Sequence, residues 1–509
     1  MKKGSLLGNV VVLTCGALLS RALGMVLRIY LSGRIGEYGM GVYSLILSLF
    51  TLGSVLGSAG ISAAVSKIAA EELALGNRAG VRRLMRVTGA LSLFMGSAAS
   101  LLFSITAKPL ALHFVDEKEA ALGIFLISLS FPFMAVSSAL KGYLYAANRA
   151  KKTALSLLVE QLVKLAAIIP VLEWYHGNEI RITMAVLAVS MVLGEAFSCI
   201  YLYKLYRKSI SKQKGEKPRK QNGMLTRLLR LSVPMGLTSY IISGFRAVEN
   251  MLIPLRLQQY GTGKEDAISV YGVVKGMVMP LLTFPSAVIT SVAVLLVPEI
   301  AGSMAAGRKE EAHRKIRLAI KYTSVLSLLL SPLFFAFSGE IGAYIFRSEQ
   351  AGAILKNLSF LCPFIYLEMV CQSMLQSLGE QLSSLRYNLL DSSMRILLVW
   401  FFLPVGGVTA LMVVIILSNL LTAVLTVSRL LKVVHMKPDL MGWVTKPLLA
   451  SMLSVFLSER LSRLFGGNLL MTALCAGAGA LLYLVFLRLS GCISLKELRF
   501  MKGQLRRKR

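Results

Sequence analysis

Charge clusters and turn residues cut the chain into about fourteen apolar stretches, each near the ~20 residues that carry a helix across a bilayer. They fall near residues 10–33, 42–66, 87–106, 120–140, 153–172, 182–203, 231–255, 268–297, 316–337, 351–378, 384–403, 408–427, 444–464 and 469–489. Inside them apolar residues run almost unbroken, without the alternation of an outer-membrane barrel, so each predicts a helix that satisfies its own backbone in lipid. The expected fold class is an all-α integral membrane protein. Composition sharpens this: 55% of the 509 residues are hydrophobic and 16% charged, where soluble domains carry about 25% charged residues. A soluble chain is excluded.

The formal charge of +31 would suggest nucleic acid in a soluble protein. Here the basic residues occupy short polar segments between spans, so no nucleic-acid partner is expected. Residues 78–86, 149–152, 204–230, 308–321, 429–437 and 496–509 all fall on one side of the membrane and hold about 40 Lys and Arg, against about 10 opposite. The positive-inside rule then puts both termini in the cytoplasm and these loops against anionic lipid. The start resembles a secretory signal but lacks a small-x-small cleavage site, and its apolar run continues past Arg21, which predicts a retained first span.

The run Arg207–Asn222 is strongly polar and divides the chain into two candidate six-span halves. Phe131-Pro132-Phe133 matches Cys362-Pro363-Phe364 at an offset of 231, and the same shift carries Glu160 to Asp391 and Lys164 to Arg395. Val42-Tyr43-Ser44 likewise resembles Val270-Tyr271-Gly272 with a small gap. Six spans separate the halves, so both keep one orientation, and a parallel repeat with a pseudo-twofold along the membrane normal is expected. The division is 1–206 as an N-terminal lobe, 207–226 as a basic cytoplasmic linker, 227–432 as a C-terminal lobe, and 433–509 as two extra helices with a basic tail.

An ionisable group inside a span costs about 2.5–3.5 kcal/mol, so each one marks a candidate site. Arg21 and Arg28 stand two turns apart on one helix face with Gly24 between them. Arg246, with Glu249 a turn away, and Lys275 supply cations from the second half. Arginine stays ionised and matches phosphate oxygens with a planar fork, so such residues around a wet cavity suit a phosphate or pyrophosphate. The competing reading is snorkelling for Arg21 and Lys275, and an ion pair with Glu249 for Arg246. Glu160 with Lys164 and Asp391 with Arg395 are spaced as intrahelical ion pairs, and self-neutralisation is preferred over a role in opening. Glu195 and Glu368 have no partner in their own helices and are candidates for coupling to a proton or monovalent cation. Prolines 280 and 285 are a candidate hinge.

No P-loop, H-E-x-x-H or G-x-S-x-G occurs, the six cysteines form no C-x-x-C pair, and the four histidines are expected in loops. Neither an enzyme, a cofactor nor a metal site is expected.

The stretch Arg21-Ala-Leu-Gly-Met-Val-Leu-Arg28, then Gly36-Glu-Tyr-Gly-Met-Gly-Val-Tyr43 and Ala63-Ala-Val-Ser-Lys67, resembles the stage V sporulation protein B-like family. Lys141-Gly-Tyr143, Leu158–Lys164 and Pro285–Ile300 extend the likeness. This is the polysaccharide-exporter branch of the multidrug/oligosaccharidyl-lipid/polysaccharide superfamily, related to lipid II flippases. The resemblance implies two six-helix lobes in a V around a cationic cavity, with Arg21, Arg28 and Arg246 in the place of cavity arginines. It also implies a C-terminal helix pair, Val444–Leu489, associated with a groove for a lipid tail. The implied activity is flipping of an undecaprenyl-pyrophosphate-linked saccharide, a precursor of peptidoglycan or another wall or spore polysaccharide. A drug or cation antiporter of the same superfamily is the alternative, and a membrane-embedded glycosyltransferase a weaker one.

Overall fold

The computed structural model describes residues 3–175, 177, 179–211, 223–464 and 469–492. The basic tail 496–509 and most of the polar run 207–222 lie outside them. The first half of the chain forms α1 (Lys3–Ser58), α2 (Ile61–Ala74), α3 (Arg78–Ile105), α4 (Ala107–Leu110), α5 (Ala120–Ser128), α6 (Phe131–Ala146), α7 (Ala150–Trp174) and α8 (Ile180–Ser211). Then come α9 (Met224–Gln259), α10 (Lys264–Tyr271), α11 (Met279–Thr283), α12 (Ser286–Ala305), α13 (Lys309–Ala336), α14 (Ser338–Glu340), α15 (Glu349–Leu358) and α16 (Cys362–Ser377). The chain closes with α17 (Gln381–Val434), α18 (Lys446–Leu464) and α19 (Leu469–Leu489). No strand occurs among the described residues, and 12 helical segments are long and apolar enough to cross a membrane.

Two of those segments exceed a single crossing. Helix α17 has 54 residues, or roughly 80 Å if straight, against a hydrocarbon core of ~30 Å. Gly407 breaks it with φ 53°. The guanidinium of Arg429 meets the carboxylate of Glu380 at 2.9 Å although 49 positions separate them, a span of roughly 73 Å along a straight helix. Arg395 reaches Ser418 at 3.0 Å in the same way. Helix α17 is therefore a hairpin folded at Gly407. The other long segment, Cys15–Ala74, is interrupted at Gly36 and Gly60, with φ of 66° and 75°, in the left-handed region that glycine adopts without a Cβ clash.

The repeat read from the sequence recurs in the elements. Helices α3 and α13 begin at residues 78 and 309, α6 and α16 at 131 and 362, and α7 and α17 at 150 and 381, all at the offset of 231. The positive-φ residues Gly76, Asp116 and Asn148 return at Gly307, Arg347 and Gly379, and 347 minus 116 is again 231. A π-helical turn, Ala111–Val115 or Ile341–Phe346, precedes the second of these positions in both halves. Each such turn ends at a left-handed residue, which stops the helix and starts the next.

By packing, the chain divides into two compact units, Met1–Leu27 with Val42–Met251, and Arg28–Gly41 with Leu252–Arg509. The first has a core in which Ile61, Ile68, Leu84, Tyr143, Leu202 and Leu228 bring α2, α3, α6, α8 and α9 together. Tyr143, 1% exposed, satisfies its hydroxyl on Ser209 at 2.9 Å, as a buried phenol must. In the second unit the C-terminal pair docks on α13 through Val325, Ala450, Tyr483 and Leu487. The Tyr483 hydroxyl donates to the Val325 carbonyl at 2.8 Å.

Gly41, which closes the glycine-rich run, has a packing reason. A Cβ on Gly41 would stand 2.1 Å from the Ile268 carbonyl oxygen, and one on Gly272 would stand 2.4 Å from the backbone of Glu37 and Gly41. Only hydrogen fits at such a crossing, so α1 and α10 meet backbone to backbone. Two histidines depart from expectation, His113 in a π-helical turn and His313 in the first turns of α13, while His435 lies in the left-handed turn just after α17, as expected. His176 lies outside the described residues. The helices carry polar ends beyond the hydrocarbon, so segments that read as loops are helical.

Candidate functional site

The cationic candidates occupy α1, α9 and the π-helical turn Gly272–Val278. Arg28 is half-buried and donates from Nη1 to the Gly276 carbonyl oxygen at 3.0 Å. A π-helical turn shifts the backbone pairing, and here a carbonyl in the turn accepts a side chain. Lys275, half-buried, is the adjacent residue. The structure thus brings two of the four expected cations, Arg28 and Lys275, to one turn. Arg28 meets a carbonyl there and keeps its net charge.

Arg21 and Arg246 are exposed in the first unit. Gly24, one turn from Arg21, has nothing within 4 Å of an added Cβ, so that face of α1 is open. Glu249, a turn from Arg246, is buried.

The two acid–base pairs form as their spacing requires. Lys164 Nζ stands 2.6 Å from Glu160 Oε1, and Arg395 Nη2 stands 2.7 Å from Asp391 Oδ2. Their surroundings differ. Glu195, on α8, brings its Oε1 to 4.0 Å from Lys164 Nζ, and all three side chains are about nine-tenths buried, so one ammonium serves two carboxylates. In the second half Ser418 stands in that role: it accepts from Arg395 Nε at 3.0 Å and bonds Asp391. Glu368 is half-buried on α16.

Pro280 lies in the first turn of α11, which follows the π-helical turn directly, and Pro285 immediately precedes α12. The Tyr366 hydroxyl donates to the Leu282 carbonyl at 2.7 Å, fixing the break between α11 and α12 against α16.

Several charged contacts were hidden in the sequence. Arg227 of α9 pairs with Glu72 at 2.9 Å and with Glu71, and Asn77 also donates to the buried Glu72 at 2.7 Å. Lys315 is buried between Glu311 at 2.7 Å and Glu299 at 3.4 Å. Glu37, in the glycine-rich run, accepts from Ser348. Arg227 with Glu72 and Glu37 with Ser348 lie 155 and 311 positions apart, so no local spacing could reveal them; Lys315 with Glu311, at i,i+4, carries a local signal.

Comparison with known proteins agrees with this architecture. Stage V sporulation protein B of Bacillus subtilis (strain 168) is 25% identical over 447 residues, covering 85% of each chain. Lipid II flippase MurJ of the same organism is 23% identical over 395 residues, 69% of this chain and 71% of that one. Among solved structures, lipid II flippase MurJ in an inward closed conformation superposes with a TM-score of 0.69 at 15% identity, covering 94% of this chain and 98% of that chain. The Polysaccharide biosynthesis protein family matches residues 6–304, more than half of the chain, and this multi-pass bacterial membrane protein belongs to that family.

Proposed function

We propose that the chain is a flippase that moves an undecaprenyl-pyrophosphate-linked saccharide from the cytoplasmic to the outer leaflet by alternating access. The observation that carries this reading is Arg28, an arginine in a membrane-spanning helix that bonds the Gly276 carbonyl beside Lys275. A cation held in place by a neutral acceptor remains available to an anion, and the fork of arginine matches a pyrophosphate. Arg21 and Arg246, both exposed, add further charge. In this account the saccharide travels in a wet cavity while the polyprenyl tail stays in lipid near the pair 444–489. The relationship to a lipid II flippase supports a lipid-linked substrate.

The α17 hairpin supports fourteen crossings, with Cys15–Ala74 supplying a further pair around Gly36. Both termini are assigned to the cytoplasm by the charge asymmetry. An inside-negative potential favours outward movement of an anion by about 2.3 kcal/mol per charge per 100 mV. Glu195, sharing Lys164 with Glu160, and Glu368 are the groups assigned to a proton or monovalent cation.

The test is an allele carrying Arg28→Ala with Arg246→Ala, expressed at the native level. Export of lipid-linked saccharide should fall at least tenfold while membrane abundance is unchanged; unaltered export would overturn the assignment. The antiporter alternative is separated by thermal shift with organic cations, which should not stabilise the purified protein.

A further inference from the structure

A basic pocket, independent of the central cations and of the flippase reading, lies at the polar end of α13. Helix α13 has 28 residues, roughly 42 Å, so its charged first turns extend beyond a ~30 Å core to the membrane surface. There a pocket of about 530 Å³ opens between α13 and the connection into α18. Arg314, Arg317 and Lys321 line it from successive turns of one helix face, with His313 beside them. Trp443 forms part of the opposite wall. It is 4% exposed, and its indole N–H has no acceptor.

A buried donor without an acceptor costs about 1–3 kcal/mol, and a ligand oxygen that seats against the indole as the pocket fills would remove that cost. Two acids also line the pocket, Glu310 and Asp439. Asp439 is engaged locally, accepting the Gly442 backbone N–H at 2.9 Å on Oδ1, so it shapes the turn that carries Trp443. Three cations against two carboxylates leave the pocket positive before His313 is counted. Leu318 supplies an apolar wall.

We propose that this pocket binds the phosphate group of an anionic ligand at the membrane surface, through Arg317, Arg314, Lys321 and the Trp443 indole N–H. Two sources offer that chemistry, the headgroup of an anionic phospholipid and a free phosphate.

The chain has three tryptophans, Trp174, Trp400 and Trp443, so the double variant Trp174→Phe/Trp400→Phe isolates the indole that lines the pocket. The full-length variant in neutral maltoside micelles is titrated with short-chain phosphatidylglycerol, with phosphatidylcholine, and with inorganic phosphate. Saturable change in emission with phosphatidylglycerol but not phosphatidylcholine assigns the site to the lipid headgroup; a response to inorganic phosphate assigns it to a free phosphate. Arg317 is exposed, so Arg317→Ala should fold, and it should weaken the response about tenfold. Trp443→Phe, in the otherwise native chain, should lose most of the thermal stabilisation given by the same ligand. Equal responses to the two lipids, silence to all three ligands, or an undiminished response in Arg317→Ala would each overturn the proposal.

Discussion

Lysine 164 holds two buried carboxylates, and removing it should be among the most damaging single changes in the first unit. At 2.6 Å from Glu160 and 4.0 Å from Glu195, with an effective dielectric of ~20, its gross attractions are about 6 and about 4 kcal/mol. Most of this offsets the cost of burying three charges, so the gross figures do not measure stability. Breaking a buried pair from one side costs about 3–5 kcal/mol, and Lys164→Met leaves two carboxylates facing each other, which places it at the upper end. The double change Glu160→Gln/Lys164→Met removes the pair and leaves Glu195 as the single carboxylate of the cluster. It should lie at least ~2 kcal/mol closer to wild type than the sum of the single changes. Glu195→Gln alone relieves the excess negative charge and should cost under ~1 kcal/mol. The assay is equilibrium unfolding of the four variants in maltoside micelles, read by tryptophan emission and helicity. Additive single and double effects would show that the 2.6 Å pair contributes no coupling, and the charge argument would fail.

Three further outcomes follow from particular contacts. Hydrogen bonds from Ser383 and from the Arg429 guanidinium hold the Glu380 carboxyl below the usual carboxylate range. Its folded-state pKa is depressed, so its contribution is complete above the unfolded value and disappears as pH falls through the folded value. The stability gap between wild type and Glu380→Gln should therefore be open at pH 7 and close below about pH 4; a gap that does not vary with pH would refute it. Gly41→Ala drives a Cβ to 2.1 Å from the Ile268 carbonyl; it should cost about 3 kcal/mol or more and lower folded yield, by size-exclusion recovery. Ser418→Ala removes the bridge to Arg395 and Asp391 and should destabilise by about 1–2 kcal/mol in thermal unfolding, with Ser418→Thr restoring part of the loss.

Much of the architecture was legible because lipid imposes it. Spans must be long and apolar, and their ends are basic on one side, so positions such as 153–172 and 444–464 match α7 and α18 within a few residues. The repeat was visible in Pro132 with Pro363 and in the two acid–base pairs, whose i,i+4 spacing is local. The turns that share this offset, Asp116 with Arg347 and Asn148 with Gly379, were not legible, because left-handed geometry leaves no fixed residue type. Spans 384–403 and 408–427 read as separate helices, and the two arms of α17 fold back on each other at Gly407, between them.

The candidate site was legible as residue types and hidden as partners. Intramembrane arginine stands out by its cost, which drew attention to Arg28; the carbonyl that receives it belongs to a residue 248 positions away. Ser418 was missed because serine is inexpensive in a span and gives no signal of its own. The Arg227 clamp on Glu72 was absorbed into the charge asymmetry of the inner segments, where every basic residue reads alike. Trp443 carried no pattern at all, since an orphaned indole N–H is a property of packing.

The most direct test of the central claim is leaflet transfer itself. The purified protein is reconstituted into vesicles holding a polyprenyl-pyrophosphate saccharide in the inner leaflet, and the rate at which the sugar becomes accessible to an external lectin is measured. The account predicts protein-dependent exposure, reduced at least tenfold in Arg28→Ala/Arg246→Ala and faster with a membrane potential that favours outward movement of the anion. Exposure at the protein-free rate, or a double variant as fast as wild type, would contradict it.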